Sequence, residues 1–341
     1  MHWATTIKCT TASLFLREAG MNYHNGTRMV GHGPRARGRA ERIRGRVVAK
    51  ARSDPSVARR ELGCVRIFLV GLLLFVSGCS TNPATGRSQM NVLSTQQEIS
   101  LGAQAAPDFV KELGGEIPSA AIRQYVSDIG GRLASSSERA DLPWEFKVVD
   151  SAVLNAFALP GGKVFISRGL LVKLSDEAML AGVLGHEIGH TTAKHIGEQM
   201  TRQMVLSGVI SGATRGNSEW LAVLGAGAKM GGGLYLLEFS RDNELESDHL
   251  GIRYITRQGY DPRGMVRVLK VLEAAAAGAP RASMFSTHPA PAARAKRAAR
   301  YIGRKFPDVD EPGKYTVNAE QFQQVVLANL AALPPAKHTG Q

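Results

Sequence analysis

The stretch GHEIGHTTAKH, residues 185–195, constrains the fold of this chain more than any other part of the sequence. Side chains four positions apart on an α-helix lie nearly in line, one turn apart. His186 and His190 have this spacing, so on one helix their imidazoles can share a tetrahedral metal ion. Glu187 lies beside them, where its carboxylate can reach a water molecule at the metal. The spacing predicts the H-E-x-x-H arrangement of a helical zinc site.

The third histidine of the stretch, His195, is predicted not to be a ligand. We expect one long helix over residues 176–204, capped by Ser175, because residues 191–194 contain no helix breaker. On a continuous helix His195 lies about 180° round from His186 and points away from the metal. We interpret it as a structural residue that is buried or caps a neighbouring group.

A catalytic zinc needs a third protein ligand and an open position. The best candidate lies in SRDNELESDHLG, residues 240–251, where Glu244 and Asp248 again share one helical face. Glu244 can complete a site of two histidines and a glutamate. Asp248 can accept the outer N–H of a ligand histidine and fix its tautomer. Glu246 is expected to face away, and His249 lies off the ligand face.

The N-terminal part of the chain differs in charge from the rest. The whole sequence carries +13, but residues 1–78 contain 14 Lys and Arg and 4 Asp and Glu, which leaves 28 basic and 25 acidic residues and a net charge of +3. A basic arm can bind nucleic acid or anionic lipid. This one lacks interleaved aromatics and zinc-finger spacing, so we expect no nucleic-acid partner. We predict that residues 1–60 are a basic low-complexity extension from an over-extended gene start; a cytoplasmic tail is the alternative.

Residues 61–78 have the layout of a signal peptide, with an apolar run too short for a comfortable transmembrane span. The run ends in VSGC, which resembles the bacterial lipobox, in which the cysteine is lipidated and becomes the first mature residue. That residue is Cys79; the alternative is a chance cysteine after an apolar helix. Residues 79–93 then read as a polar, turn-rich lipidated tether with no core pattern. The other cysteines, Cys9 and Cys64, precede it, so no disulfide is expected in the mature protein.

Residues 94–335 are predicted to form one mostly helical α+β domain. The segment 221–237 is apolar but is broken by Lys229 and several glycines, so we interpret it as a packed or mobile helical segment and not a membrane span. Beyond the histidine helix, the predicted helices are 94–106, 119–137, 238–256, 262–277, 289–303 and 318–332, and the predicted strands are 144–151 and the start of 161–171, which runs into a helix.

Three motifs in order, HEIGH, SRDNELESD and STHPAPAAR (286–294), resemble metallopeptidase family forty-eight. The stretches NPATGRSQMNVLS (82–94) and NAFALPGGKVFISRGLL (155–171) are similar to its small periplasmic lipoprotein branch in particular. The resemblance covers about residues 80–300. It implies a zincin-type (gluzincin) metallopeptidase domain, with a small β-sheet beside the H-E-x-x-H helix, at residues 94–335.

The resemblance also implies a set of roles for the site residues. One Zn²⁺ per chain would be bound by His186, His190 and Glu244, and Glu187 would be the general base. The chain would be a zinc metalloendopeptidase in which Glu187 takes a proton from water and passes it to the leaving amine. A tethered chaperone or assembly factor with little proteolysis is the alternative, and a cell-wall amidase is disfavoured by the motifs.

The expected substrates are unfolded or misassembled proteins of the bacterial cell envelope. The strand 163–167 can pair with an extended substrate, or it is an ordinary buried strand. The protein would be anchored to the membrane through its lipid and face the periplasm. Ser80, in the place where aspartate is associated with inner-membrane retention, favours the outer membrane. The outer-membrane assembly machinery is therefore a candidate partner.

The motif STHPAPAAR suggests a regulatory element. A loop histidine near an open zinc position can act as a fourth ligand, and we predict this for His288. The resemblance implies the same, since a histidine of this motif is a self-inhibiting switch in one periplasmic member of the family. The alternative is that His288 caps the following helix. Arg294 is predicted to be catalytic, meeting a substrate carbonyl or the developing oxyanion.

Overall fold

The computed structural model describes residues 79–206, 239–276 and 288–337. The predictions for residues 1–78 and 221–237 lie outside the described residues. In chain order the helices are α1 (Thr95–Glu112), α2 (Ala120–Ser135), α3 (Arg168–Leu171), α4 (Glu177–Thr192), α5 (His195–Leu206), α6 (Arg241–Arg257), α7 (Arg263–Ala276), α8 (Pro291–Lys305), α9 (Ala319–Phe322) and α10 (Ala328–Ala331), with a π-helical turn at Gln323–Leu327. The strands are β1 (Cys79–Thr81), β2 (Ser88–Met90), β3 (Glu145–Val149), β4 (Ala156–Leu159) and β5 (Lys163–Ser167).

The predicted mostly helical α+β class is confirmed. A mixed sheet with the order β3-β5-β4 packs beside the helices; β3 and β5 are parallel, and β4 and β5 are antiparallel. Every residue of β5 and of β4 is buried. The strand β4 was not predicted, because its sequence AFAL has no alternation of polar and apolar residues. None of the described helices combines the length and apolarity that a membrane crossing needs.

The helix α4, which contains the H-E-x-x-H motif, is buried along its whole length. Its N-cap is Asp176 and not the predicted Ser175: the Asp176 side chain accepts a hydrogen bond from Met179 N at 2.8 Å. Aspartate in this position satisfies a free N–H and favours the positive end of the helix dipole. Ser175 stands one residue earlier, and its hydroxyl contacts the Asp176 carboxylate instead.

The helices α4 and α6 pack at unusually short range, and glycines permit it. A Cβ at Gly189 would lie 2.9 Å from Ser247 O, and a Cβ at Gly251 would lie 2.9 Å from His186 N. Larger residues at either position would push the two helices apart. The short distance between the axes brings the first turn of α6, which holds Glu244, against the histidines of α4.

The prediction of one long helix over 176–204 is wrong, because the chain breaks at Lys194. That residue has φ 57°, in the left-handed region, and α5 starts immediately after it at His195. Lysine carries no local signal for this conformation, which costs a non-glycine residue about 1–2 kcal/mol. Contacts from elsewhere in the chain must therefore stabilise the break.

Three distant side chains satisfy the last carbonyls of α4 at the break. Helix C-termini leave carbonyls without an intrahelical partner, and buried ones need a donor. The hydrogen bonds are Arg139 Nη1 to Thr191 O at 3.0 Å, Asn82 Nδ2 to Thr192 O at 3.1 Å and Gln89 Nε2 to Ala193 O at 2.7 Å. The helix ends where these donors meet it.

The segment 79–93, predicted as a tether with no core pattern, is instead packed on the domain. β1 and β2 form an antiparallel pair in which Cys79 is opposite Met90. Asn82 and Gln89 are 3% exposed, and Leu93 is 4% exposed. Two of the polar residues that gave the segment its tether-like composition, Asn82 and Gln89, are buried donors to the end of α4. Composition alone cannot distinguish such donors from solvated side chains.

Candidate metal centre

Four buried side chains from three elements converge on one point: His186 and His190 of α4, Glu244 of α6, and His288 just before α8. One ligand atom of each lies within 4.8 Å of those of the others, and none of the four residues is more than 2% exposed. His190 Nε2 is 3.0 Å from His186 Nε2 and 3.3 Å from Glu244 Oε1. His288 Nδ1 is 2.9 Å from Glu244 Oε1. The structure thus brings the three predicted ligands and the predicted regulatory histidine together.

The outer nitrogen of His186 is held as predicted. His186 Nδ1 lies 3.0 Å from Asp248 Oδ1, so the ring donates its Nδ1–H to that carboxylate. Although burial alone would raise it, the Arg294 guanidinium lowers the pKa of Asp248 to about 2. An ionised carboxylate is a strong acceptor, and it leaves His186 Nε2 as the nitrogen with a free lone pair.

Arg294 belongs to this buried pair and does not point toward solvent. Its Nε is 2.9 Å from Asp248 Oδ2, its Nη2 is 2.6 Å from Asp248 Oδ1, and its Nη1 pairs with Glu244 Oε2. These contacts hold both carboxylates of α6 in place. The predicted contact between Arg294 and a substrate carbonyl remains a prediction.

His195 does not point away from the site, as the continuous helix required. Because the chain turns at Lys194, His195 Nδ1 lies 3.1 Å from His190 Nδ1. His195 is 1% exposed, and burial lowers its pKa. The expectation of a buried histidine outside the ligand group is confirmed, but its predicted direction is wrong.

The remaining motif residues lie outside the ligand group. Glu246 faces away from it, as predicted, and its Oε2 is 3.0 Å from His195 Nε2. His249 is off the ligand face and stacks on Tyr301, with ring centroids 4.2 Å apart. His288 does not cap α8: the N-cap is Ala290, at φ 59°, and no side chain caps that helix. The capping alternative for His288 is therefore wrong.

The protonation states of the site favour a cation. Burial lowers the pKa of His190 well below its usual value, so its ring is neutral. Burial alone would raise the pKa of Glu244, but the charges of His288 and Arg294 hold it well below its usual value. A neutral imidazole and an ionised carboxylate are the forms that bind metals.

The donor set fits a metal ion on stereochemical grounds. His186 and His190 both direct their outer Nδ1 at a neighbour, so their Nε2 lone pairs face each other at 3.0 Å. Such a pair is repulsive unless a cation lies between. A tetrahedral ion with metal–nitrogen bonds of about 2.0–2.1 Å places its ligand atoms roughly 3.3 Å apart. The observed separations match this, so the residues fit a zinc-sized ion.

Glu187 is placed differently from the ligands. Its carboxylate is 1% exposed, and burial raises its pKa. Among the described residues no group donates a hydrogen bond to Glu187 Oε1, and the nearest cationic partner, His288 Nε2, is 3.7 Å away. A buried oxygen of this kind is free to accept a proton from a group brought into the site.

The fold and this donor set define a metallopeptidase of the zincin type. The family model described as Peptidase family M48 matches residues 120–302, more than half of the chain. The chain belongs to peptidase family M48. The family prediction made from the three motifs is confirmed.

Curated relatives agree with this assignment. The beta-barrel assembly-enhancing protease of Escherichia coli (strain K12) is 29% identical over 235 residues, which cover 64% of this chain and 47% of that protein. The mitochondrial metalloendopeptidase OMA1 of Schizosaccharomyces pombe is 30% identical over 231 residues, 64% of this chain and 65% of that protein. The chain spans about half the length of the bacterial relatives it matches.

Proposed function

We propose that this protein is a membrane-anchored, zinc-dependent endopeptidase that hydrolyses unfolded or misassembled proteins of the bacterial cell envelope. The observation that carries the proposal is the position of Glu187. Its Oε1 is buried beside the ligand group and accepts no hydrogen bond from the described residues. A glutamate that served only to stabilise the fold would be paired, because an unpaired buried polar atom costs about 1–3 kcal/mol.

Three groups, His186 Nε2, His190 Nε2 and Glu244, would hold the zinc ion. When bound, zinc supplies electrophilic polarisation of the scissile carbonyl and makes a water molecule acidic enough to attack near neutral pH. Glu187 Oε1 takes the proton of that water and delivers it to the leaving amine. The pKa of Glu187, raised by burial, suits a group that must both accept and release a proton.

His288 is proposed as a fourth ligand that closes the site. Its Nδ1 lies 3.2 Å from His186 Nε2 and 2.9 Å from Glu244 Oε1, within the ligand group. A tetrahedral zinc with four protein ligands has no position for water. Movement of His288 would then open the site.

The observed order of the strands in the sheet changes which strand could pair with a substrate. β5, residues 163–167, is the central strand and is paired on both sides, so it cannot bind a peptide. That prediction is wrong. β4 pairs with β5 on one side only, so it is an edge strand of the sheet, and it packs against α4. We propose that an extended substrate pairs with β4, which would favour unfolded chains over native ones.

The proposed envelope location is supported by the lipobox-like VSGC sequence at Cys79 and by a relative that is a beta-barrel assembly-enhancing protease. We propose a lipid anchor on Cys79, a periplasm-facing domain, the outer membrane as its location, and its assembly machinery as a partner.

In cell fractionation, the native protein should be found in membranes and Cys79→Ser should not be processed. Mass spectrometry that finds peptides of residues 1–60 in the mature protein would contradict the proposed start.

Casein hydrolysis tests the activity. The full chain should cleave unstructured casein, lose activity with 1,10-phenanthroline and regain it when zinc is added. Glu187→Gln should abolish cleavage while metal analysis still finds one zinc per chain. Glu273→Gln, on an exposed position of α7, is the matched control and should remain active. If wild type and Glu187→Gln suppress client aggregation equally and neither cleaves casein, the protein is a binding factor and not a protease.

A further inference from the structure

His195 is buried against the ligand group without belonging to it. Its Nδ1 lies 3.1 Å from Nδ1 of His190, and its Nε2 lies 3.0 Å from Glu246 Oε2. A second, longer contact joins Ser247 Oγ to the same His195 Nδ1 at 3.3 Å. Both ring nitrogens of His195 are therefore engaged, one by a ligand histidine and one by a carboxylate.

The carboxylate fixes which nitrogen of His195 carries hydrogen. An ionised glutamate only accepts hydrogen bonds, so His195 Nε2 must be the N–H that faces Glu246. A neutral imidazole has one N–H, and His195 Nδ1 is then an acceptor. His190 Nδ1 must donate to it. The remaining nitrogen of His190, Nε2, is the one aimed at His186 and Glu244.

The position of His195 depends on the helix break. On a continuous helix its ring would point away from His190, but after the left-handed Lys194 it starts α5 and faces back. Glu246 is held in turn by Arg87, whose Nε is 3.3 Å from Glu246 Oε1. Arg87 also pairs with Glu198, with Nη2 2.7 Å from Oε2.

We propose that His195 is a positioning residue that orients the His190 ring and directs Nε2 of His190 at the metal. Ligand histidines are commonly held by a carboxylate or a carbonyl that accepts the outer N–H. Here a second histidine stands between the ligand and the carboxylate.

The proposal rests on the proposed metal site, and it concerns metal affinity before it concerns activity. Loss of a partner that orients a ligand costs about 10–100-fold in metal affinity. His195→Leu keeps the volume and removes both hydrogen bonds, whereas His195→Gln can still accept from one side and donate to the other. His249→Gln, a half-buried histidine on α6 that does not contact the site, is the matched control.

Zinc affinity by chelator competition and the visible spectrum of the Co²⁺-substituted full chain are the readouts. We expect His195→Leu to weaken zinc binding by about 10–100-fold and to shift the Co²⁺ bands. His195→Gln should recover most of the affinity and the wild-type spectrum. Glu246→Ala, which removes the acceptor of His195 Nε2–H, should change both in the same direction as His195→Leu but less. His249→Gln should change neither.

A folded His195→Leu with zinc affinity within about twofold of wild type and an unchanged Co²⁺ spectrum would overturn the proposal. So would a variant whose only defect is a lower melting temperature of the metal-free protein, which is the result of a purely structural role. If His195→Leu does not fold, Glu246→Ala decides, because the Glu246 side chain is partly exposed and its loss removes the acceptor of His195 Nε2–H: no change in the spectrum overturns the proposal. Failure of wild type itself to bind zinc or Co²⁺ would instead contradict the metal site.

Discussion

The two ligand histidines of α4 are supported from behind in different ways. His186 donates to Asp248, a carboxylate that is fully enclosed and paired with Arg294. His190 contacts His195, from which a chain of contacts runs through Glu246 to Arg87, a residue 36% exposed. One side of the metal group is therefore closed within α4, α6 and α8, and the other extends to the surface. We therefore expect the enclosed side to contribute more to the stability of the fold than the side that extends to the surface.

A substitution on the closed side, which contains Asp248, should give the largest loss of unfolding free energy. Asp248→Ala removes the partner of both His186 Nδ1 and Arg294, and it leaves a buried guanidinium with Glu244 alone. Breaking a buried ion pair costs about 3–5 kcal/mol. We expect the unfolding free energy to fall by an amount in that range, in urea denaturation of the metal-free protein. Glu246→Ala, the corresponding carboxylate on the open side, should cost much less; equal losses would remove the distinction.

A substitution at His288 tests whether the proposed fourth ligand acts independently of the Asp248 side and of the His195 side of the metal group. It contacts His186 and Glu244 directly and neither Asp248 nor His195 in the described contacts. His288→Ala should raise casein cleavage severalfold, because it removes the proposed fourth ligand, while zinc content stays at one per chain. Activity no higher than wild type with normal zinc content would rule out the closing role.

On the side that extends to the surface, substitution of the outermost residue, Arg87, should lower the unfolding free energy only slightly. Arg87→Ala removes two partly exposed ion pairs, with Glu246 and Glu198, and such pairs contribute about 0–1 kcal/mol each. We expect a loss of about 1 kcal/mol in thermal or urea unfolding, which high salt should diminish. Arg257→Ala, which removes an exposed pair with Glu138, is the control. A loss as large as that of Asp248→Ala would show that the docking of the β1–β2 segment through Arg87 is essential to the stability of the domain.

Substitution of Lys194 at the helix break should give the smallest change in unfolding free energy, and the change should be an increase. Lys194→Gly relieves the left-handed backbone but loses the 3.7 Å contact with Glu98 and gains chain entropy in the unfolded state. We expect the unfolding free energy to rise by up to about 1 kcal/mol. Lys194→Ala keeps the strain and should not stabilise the protein. If Lys194→Gly destabilises the protein as much as Lys194→Ala does, the lost contact with Glu98 outweighs the relief of backbone strain.

The ligand set could be predicted from the sequence because it depends on local helical periodicity. His186 with His190, and Glu244 with Asp248, each lie one turn apart, and the packing of α4 on α6 joins the two pairs. Ser94 and Ser119, of a residue type favoured at N-caps, cap α1 and α2 for the same local reason. Patterns within one helix are preserved whenever that helix forms.

The break after α4 could not be predicted, because nothing between Thr191 and His195 encodes it. It depends on Asn82, Gln89 and Arg139, which are 52 to 110 residues away in sequence from the carbonyls they contact. The direction of His195 depends on the break and was mispredicted with it. The ion pair of Arg294 with Asp248 and Glu244 was missed because it joins α8 to α6 across the fold.

If Cys79 carries a lipid anchor, the docking of segment 79–93 changes how far the domain can lie from that anchor. A free tether of this length would have a root-mean-square reach of roughly 20 Å, so the site could sample a broad shell around its attachment. Here β1 and β2 pair, and Asn82, Gln89 and Leu93 are buried against the domain, which leaves little slack between Cys79 and the end of α4. If Cys79 carries the lipid, the domain is held directly at the bilayer. Its substrates would then be confined to chains within a domain's height of the membrane surface.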